Sequence, residues 1–308
     1  MESSVQTREA FGPAPGSRLL SSGLGWRRRG LNTLMMVLIA GAFVLAMIPL
    51  FSLVFEIAKR GIPGLSAEFF TEDARGAIGG AGGASHAIMG TLIITAVASV
   101  ISVPIGIMAA IYLNEYGEGR LRRALTFFVD VMTGIPSIVA GLFAYALFEL
   151  FLGPGIRLGV MGSVALSLLM IPIVIRSAEE TLKIVPNHLR EAAYALGTPK
   201  WKTITKIVLP TAFAGLVTGV MIAIARIVGE TAPLLVTTGV VDSMNTDPFN
   251  GRMQNLAVYA YNEYRSPGVM KQASYDKAWA AALTLIAIVM ILNVAARLVY
   301  RRYKTEIR

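Results

Sequence analysis

The segment Glu191–Pro210, EAAYALGTPKWKTITKIVLP, is a polar interruption between two apolar runs, each long enough to cross a bilayer. It carries the punctuation of two short helices. Gly197 after Leu196 suits a helix C-terminus. Thr198 followed by Pro199 suits an N-cap and a first helical residue. In the first helix Leu189, Ala192, Ala193 and Leu196 recur at spacings of three and four, so they share a face. That face is a small apolar ridge flanked by Arg190 and Glu191, held at the membrane surface and free to dock into a groove on another protein. The competing reading is a juxtamembrane connector without a partner. Against it, short loops between membrane helices rarely hold two capped helices.

Composition sets the surroundings of this segment. Of 308 residues, 55% are hydrophobic and 15% are charged, against about 25% charged in soluble domains. A water-soluble core cannot hide that much apolar surface. The net charge of +9 therefore reflects basic cytoplasmic loops rather than a nucleic-acid partner. The absence of cysteine excludes disulfides and thiolate metal sites. His86 and His188 are far apart without a ligand cluster, and they read as surface or interface residues, not metal ligands. No lysine follows a glycine, so the Walker A pattern is missing and the chain cannot supply that kind of ATP site itself. Nothing calls for a cofactor.

The pattern predicts an all-α, polytopic membrane protein with six spans. Residues 1–30 read as a disordered cytoplasmic tail. The uncharged run Gly30–Phe55 exceeds the ~7–15 residues of a signal-peptide core, so 31–55 is expected to be retained as the first span. Residues 56–86, with Gly76, Gly79, Gly80, Gly82 and Gly83, form an external connector. Spans two to six are expected over Ala87–Tyr112, Leu125–Leu147, Leu158–Ile175, Thr211–Gly239 and Ala278–Ala296, within a core of 87–297. The loop 176–210 lies between spans four and five, and 298–308 is a basic tail. Pro104, Pro136 and Pro172 inside spans free carbonyls that neighbours or water must satisfy, which suggests helices bent around a cavity.

Lysine and arginine number 19 on the side of both termini and 8 on the other. The termini and the 176–210 loop are therefore expected to be cytoplasmic, the side where ATP is available. Val240–Ala278 then faces outward and, with Tyr259, Tyr261 and Tyr264, serves to cap the cavity or meet an external partner.

Charges inside apolar segments cost about 2.5–3.5 kcal/mol each on insertion scales, so they face an interior or a partner. Arg226 and Glu230, at i and i+4 of span five, are expected on one helix face. They read either as a mutual ion pair or as a substrate pathway, where the guanidinium grips an oxyanion through two parallel hydrogen bonds. Arg176 and Glu179 share a face at the inner end of span four, as pathway groups or as ordinary snorkelling charges. Asp130 is expected in an interhelical hydrogen bond or at the surface. Gly215, Gly219 and Ala223 form a smooth strip for close helix packing, within the chain or across a dimer.

These residues carry a family resemblance. Glu191-Ala192-Ala193, three residues, Gly197, nine residues, then Ile207-Val208-Leu209-Pro210 resembles the EAA loop of ABC importer permeases. Ala225-Arg226-Ile227-Val228-Gly229-Glu230-Thr231-Ala232-Pro233-Leu234-Leu235 is similar to the span-five signature of PstA-type phosphate permeases. So are Pro104-Ile105-Gly106, Ala109-Ala110-Ile111-Tyr112 with Glu115-Tyr116, Gly134-Ile135-Pro136-Ser137-Ile138 with Gly141, and Arg176-Ser177-Ala178-Glu179. The resemblance implies the type I ABC importer (MetI-like) permease fold. It implies a related second permease subunit, two cytoplasmic ATP-binding subunits and an external phosphate-binding protein, with phosphate as the ion carried. In the family, the loop holding Leu189, Arg190, Glu191, Ala192, Ala193, Leu196 and Gly197 is the coupling helix that inserts into the ATPase. Carriage of another oxyanion, or transport driven by an ion gradient, remains the alternative.

Overall fold

A computed structural model describes residues 26–75 and 82–303. The expected disordered tail up to residue 25, the connector residues 76–81 and the last residues of the basic tail lie outside the described residues. Every regular element described is helical. In order these are α1 (Trp26–Gly61), α2 (Ala67–Thr71), α3 (Ser85–Ile111), α4 (Gly119–Thr133), α5 (Ser137–Leu152) and α6 (Gly159–Ile184). There follow α7 (Asn187–Ala195), α8 (Lys200–Thr203), α9 (Leu209–Val228), α10 (Ala232–Thr237), α11 (Leu256–Arg265) and α12 (Lys271–Tyr303). A 3-10 turn covers Ile62–Gly64, and π-helical turns cover Tyr112–Tyr116 and Ile204–Val208. Among the described residues, five helical stretches are long and apolar enough to cross a membrane, or six if the bent pair α4–α5 counts as one span.

Contacts divide the chain at Glu56. In the first unit, the described part of α1 exposes apolar side chains all round, among them Leu38, Phe43, Leu45 and Phe51. A helix apolar on every side needs lipid around it. In the second unit, α6 is the central helix. It packs on α3, α5 and α9, with smaller contacts to α4 and α10.

Small residues set how closely these helices approach. On α3 against α6, a Cβ on Gly106 would stand 2.6 Å from Val174 Cγ1. Ser163 Oγ donates to the Ile94 carbonyl at 3.1 Å, and Ser167 Oγ donates to the Ala98 carbonyl at 3.4 Å. On α9, a Cβ on Gly215 would overlap Thr181, and one on Gly219 would overlap Ser177. The small-residue strip of span five therefore packs on α6 of the same chain. On α5, a Cβ on Gly141 would lie 2.6 Å from the Pro233 Cα.

Two expected spans take a different form. The third is broken: α4 and α5 meet at 108°. Pro136 disfavours helical backbone at Ile135, and α5 restarts at Ser137 directly after the proline. Pro104 and Pro172, by contrast, sit inside the unbroken α3 and α6. The fifth span ends at Val228, not at Gly239. Pro233 falls in the first turn of α10. A continuous helix would leave the Gly229 carbonyl without the donor that proline lacks. α1 begins at Trp26, ahead of Leu31.

The segment Val240–Ala278 is more than a loose cap. Met253, Gln254, Asn255, Leu256 and Val258 are buried. Met253 and Val258 join Ile94, Leu166 and Met170 in the main core cluster. Thr91 Oγ1 accepts from the Leu256 amide at 2.8 Å, and Asn255 caps α11 by accepting from the Val258 amide at 3.0 Å. Tyr264 is exposed, but Tyr259 is buried. His86 is also buried, correcting the surface expectation: it is 2% exposed and stands edge-on to Tyr259, with ring centroids 5.6 Å apart. The Met244 amide donates to Asp73 Oδ2 at 3.2 Å and holds that carboxyl below its ordinary value.

Replacing Gly219 with alanine should destabilise the chain by about 1–3 kcal/mol through overpacking. Adding Ser177→Gly should recover most of the loss. Thermal unfolding in detergent of the single and double variants checks this.

Candidate coupling surface and anion path

α6 ends at Ile184, and Val185-Pro186 turns the chain into α7. α7 ends in a Schellman motif. Gly197 takes φ +73°, its amide donates to the Tyr194 carbonyl at 2.9 Å, and the Thr198 amide donates to Ala193 at 3.0 Å. The second cap falls one residue later than the sequence predicts. Pro199 flanks α8, accepting from the Lys202 and Thr203 amides at 3.0 and 3.1 Å, and no side chain caps the helix.

The expected ridge is split between two surfaces. Ala193 is buried, and Leu189 packs on the cluster of Ala178, Leu182, Val208 and Ala212. Glu191 and Ala192 are exposed, Leu196 is 86% exposed, and Tyr194 and Trp201 are exposed as well. One half of α7's apolar surface is thus satisfied by the chain's own body, and the other half is open.

Arg190 does not flank a docking ridge but points inward. Its Nη2 lies 2.8 Å from Glu115 Oε1, with the two side chains 12% and 5% exposed. Nη2 also donates to the Leu182 carbonyl at 3.1 Å, while Nη1 reaches the Val185 carbonyl at 2.7 Å and Asn187 Oδ1 at 3.2 Å. The last carbonyls of a helix lack regular helical donors, and Leu182 accepts a turn bond from the Val185 amide at 3.3 Å; the guanidinium adds a donor to this end of α6 while pairing with the turn after α3. Glu115 appeared in sequence only as part of a motif after span two. No local periodicity links positions 75 apart.

Arg176 and Glu179 do meet, at 3.0 Å from Nη1 to Oε2. Arg176 Nη2 also pairs with Asp130 of α4, and Lys183 Nζ reaches Glu179 Oε1 at 2.8 Å. Two cations and two acids neutralise one another here. The Asp130 expectation of an interhelical bond is met, whereas Lys183 had no signal beyond its i, i+4 spacing from Glu179.

Arg226 and Glu230 do not share a helix face, because α9 stops between them. Among the described residues neither side chain has an ion-pair partner. Arg226 is exposed, in the last turn of α9, where helix carbonyls favour a cation. Glu230 is half-buried, and its carbonyl accepts from Asn255 Nδ2 at 3.3 Å. The helix break thus leaves a lone cation on the surface of the apolar body.

A family model described as "Binding-protein-dependent transport system inner membrane component" matches residues 102–305. A relative from Mycobacterium tuberculosis (strain CDC 1551 / Oshkosh), named phosphate transport system permease protein PstA 1, is 45% identical over 276 residues, 89% of this chain and 90% of its own. One from Yersinia pestis, named phosphate transport system permease protein PstA, is 40% identical over 284 residues, 91% and 92% of the two chains. Among solved structures, a chain of a bacterial alginate ABC transporter bound to its periplasmic protein aligns with a TM-score of 0.63 at 14% identity, covering 90% of this chain and 97% of that one. A chain of the inward-facing MetNI methionine ABC transporter aligns with a TM-score of 0.55 at 20% identity, covering 70% and 93%. These two share the fold.

Fold and matches together define a multi-pass membrane permease component of an ABC importer, not an enzyme. The chain belongs to the binding-protein-dependent transport system inner membrane components, and within them to the PstA permeases.

Gly197→Ala should destabilise the end of α7 by about 1–2 kcal/mol, the cost of a left-handed residue with a Cβ. Gly134→Ala, at φ −90°, should carry no such penalty. Paired thermal unfolding curves check the contrast.

Proposed function

We propose that this chain is one half of the translocation path of an ATP-driven inorganic phosphate importer. The observation that carries the reading is Arg226: an exposed guanidinium at the end of an apolar helix, without an ion-pair partner among the described residues, in a chain whose relatives are named for phosphate transport. A cation in such a place needs water, a second subunit or an anion around it. A guanidinium binds an oxyanion through two parallel hydrogen bonds. Glu230 accepts from a phosphate hydroxyl, a donor that sulfate lacks at neutral pH. Its place beside the path is steadied by the Asn255 bond to its carbonyl.

Arg176 and Glu179 act at the inner end of the path as a latch. With Asp130 they tie α4 to α6, and an arriving anion competes with Asp130 for Arg176. The exposed part of α7, with Glu191, Ala192, Leu196 and Gly197, enters one of two cytoplasmic ATPase subunits, while Leu189, Arg190 and Ala193 fasten α7 to the body. A related permease forms the other half of the path, and an external binding protein delivers phosphate. Both termini and the 176–210 loop face the cytoplasm, 31–55 is the first span, and 56–86 lies outside.

Arg226→Ala should abolish phosphate uptake by the reconstituted complex while assembly, judged by co-purification, stays intact; normal uptake would remove Arg226 from the path. Gly197→Asp should weaken co-purification of the ATPase. A cysteine placed at Trp201 should react with an impermeant thiol reagent only from the cytoplasmic side, and outward labelling would overturn the coupling assignment.

A further inference from the structure

We infer that the Arg190–Glu115 pair is the joint through which motion of α7 reaches α3. This rests on the coupling reading of α7. Glu115 lies in the π-helical turn Tyr112–Tyr116 that follows α3 directly. Arg190 Nη2 and Nε approach one oxygen, Oε1, at 2.8 and 3.3 Å, and Asn114 Nδ2 donates to the same oxygen at 2.8 Å. A second grip lies on the next residue: the Lys200 ammonium stands 4.8 Å from the centre of the Tyr116 ring. Residues of the α7 and α8 segment therefore hold adjacent positions of one turn.

The covalent link between α6 and α7 is Val185-Pro186. The guanidinium bridges it, holding carbonyls of Leu182 and Val185 on one side and Glu115 on the other. A push on α7 is thus delivered to α6 and α3 together. The pair is nearly dry, so separating its partners strands a charge away from water. That makes the contact stiff where an apolar contact would slide.

Among the described residues, two π-helical turns adjoin this region. One π turn, Tyr112–Tyr116, ends α3, and the other, Ile204–Val208, leads from α8 into α9. Such turns are rare and concentrate at functional positions, since each is a local departure from the α-helical register. The first of them holds Glu115, where the joint delivers its load. Glu115 touches no substrate in this scheme; it is a positioning residue.

The chain has no cysteine, so Glu115→Cys with Arg190→Cys gives a thiol pair that a bifunctional, reducible reagent can bridge. The complete complex is reconstituted with its binding protein, and phosphate uptake per ATP hydrolysed is measured. Unbridged, the double variant should still co-purify with the ATPase, and its uptake per ATP should fall at least tenfold. Bridging should raise the ratio at least fivefold, and reduction should remove that gain. A wild-type ratio in the unbridged variant, or no response to bridging, overturns the joint. Glu115→Gln, which keeps the shape of the side chain, gives a second reading and should also lower the ratio; an unchanged ratio counts against the joint. Uptake by the wild-type complex separately checks the substrate: its absence removes phosphate, whereas normal wild-type uptake with an unaffected variant removes the joint.

Discussion

The close approach of α3 and α9 to α6 is the constraint on which the rest of this protein depends. Lipid tails are as apolar as leucine, so helices in a bilayer are not driven together by loss of water; packing and interhelical hydrogen bonds must do it. Gly106, Gly215 and Gly219 remove the side chains that would hold the backbones apart. Ser163 and Ser167 of α6 add bonds to carbonyls of α3. α6 is thereby fixed along its length, and its C-terminal part carries both the Arg176 cluster and carbonyls that Arg190 grips.

The charges then separate into three kinds. Arg190 and Glu115 are almost fully withdrawn from water and serve geometry. Arg176, Asp130, Glu179 and Lys183 form a network that reaches solvent at Asp130 and Lys183, while the Glu179 side chain is buried between its two cations. Arg226 is exposed and has no ion-pair partner among the described residues. In the proposed complex it is the group left to meet an anion or the partner subunit.

The motifs that resemble the phosphate permeases are in good part packing devices. Gly106 makes room for Val174, and Gly141 makes room for Pro233. Pro136 breaks the third apolar segment, and Pro233 begins α10 after α9 has stopped. Residues that looked like signatures of function in one dimension prove to be what allows the helices of the second unit to pack around α6.

By itself the sequence determined the apolar stretches, the position of the polar loop that holds α7 and α8, and the glycine that ends α7. All of these depend on residues close together in the chain: hydrophobic length, and a conformation that glycine adopts without strain. It also exposed Arg226 and the Arg176–Glu179 pair, because a charge in an apolar run stands out without any partner in view. Only the tertiary structure decided that Arg190 turns inward to Glu115, that Asp130 and Lys183 complete the Arg176 network, that His86 is buried and that Met253–Val258 folds back into the core. Each of these joins residues remote in the chain or depends on which face of a helix is covered. That information resides in the packing of helices on α6, not in the spacing of residues along any one of them.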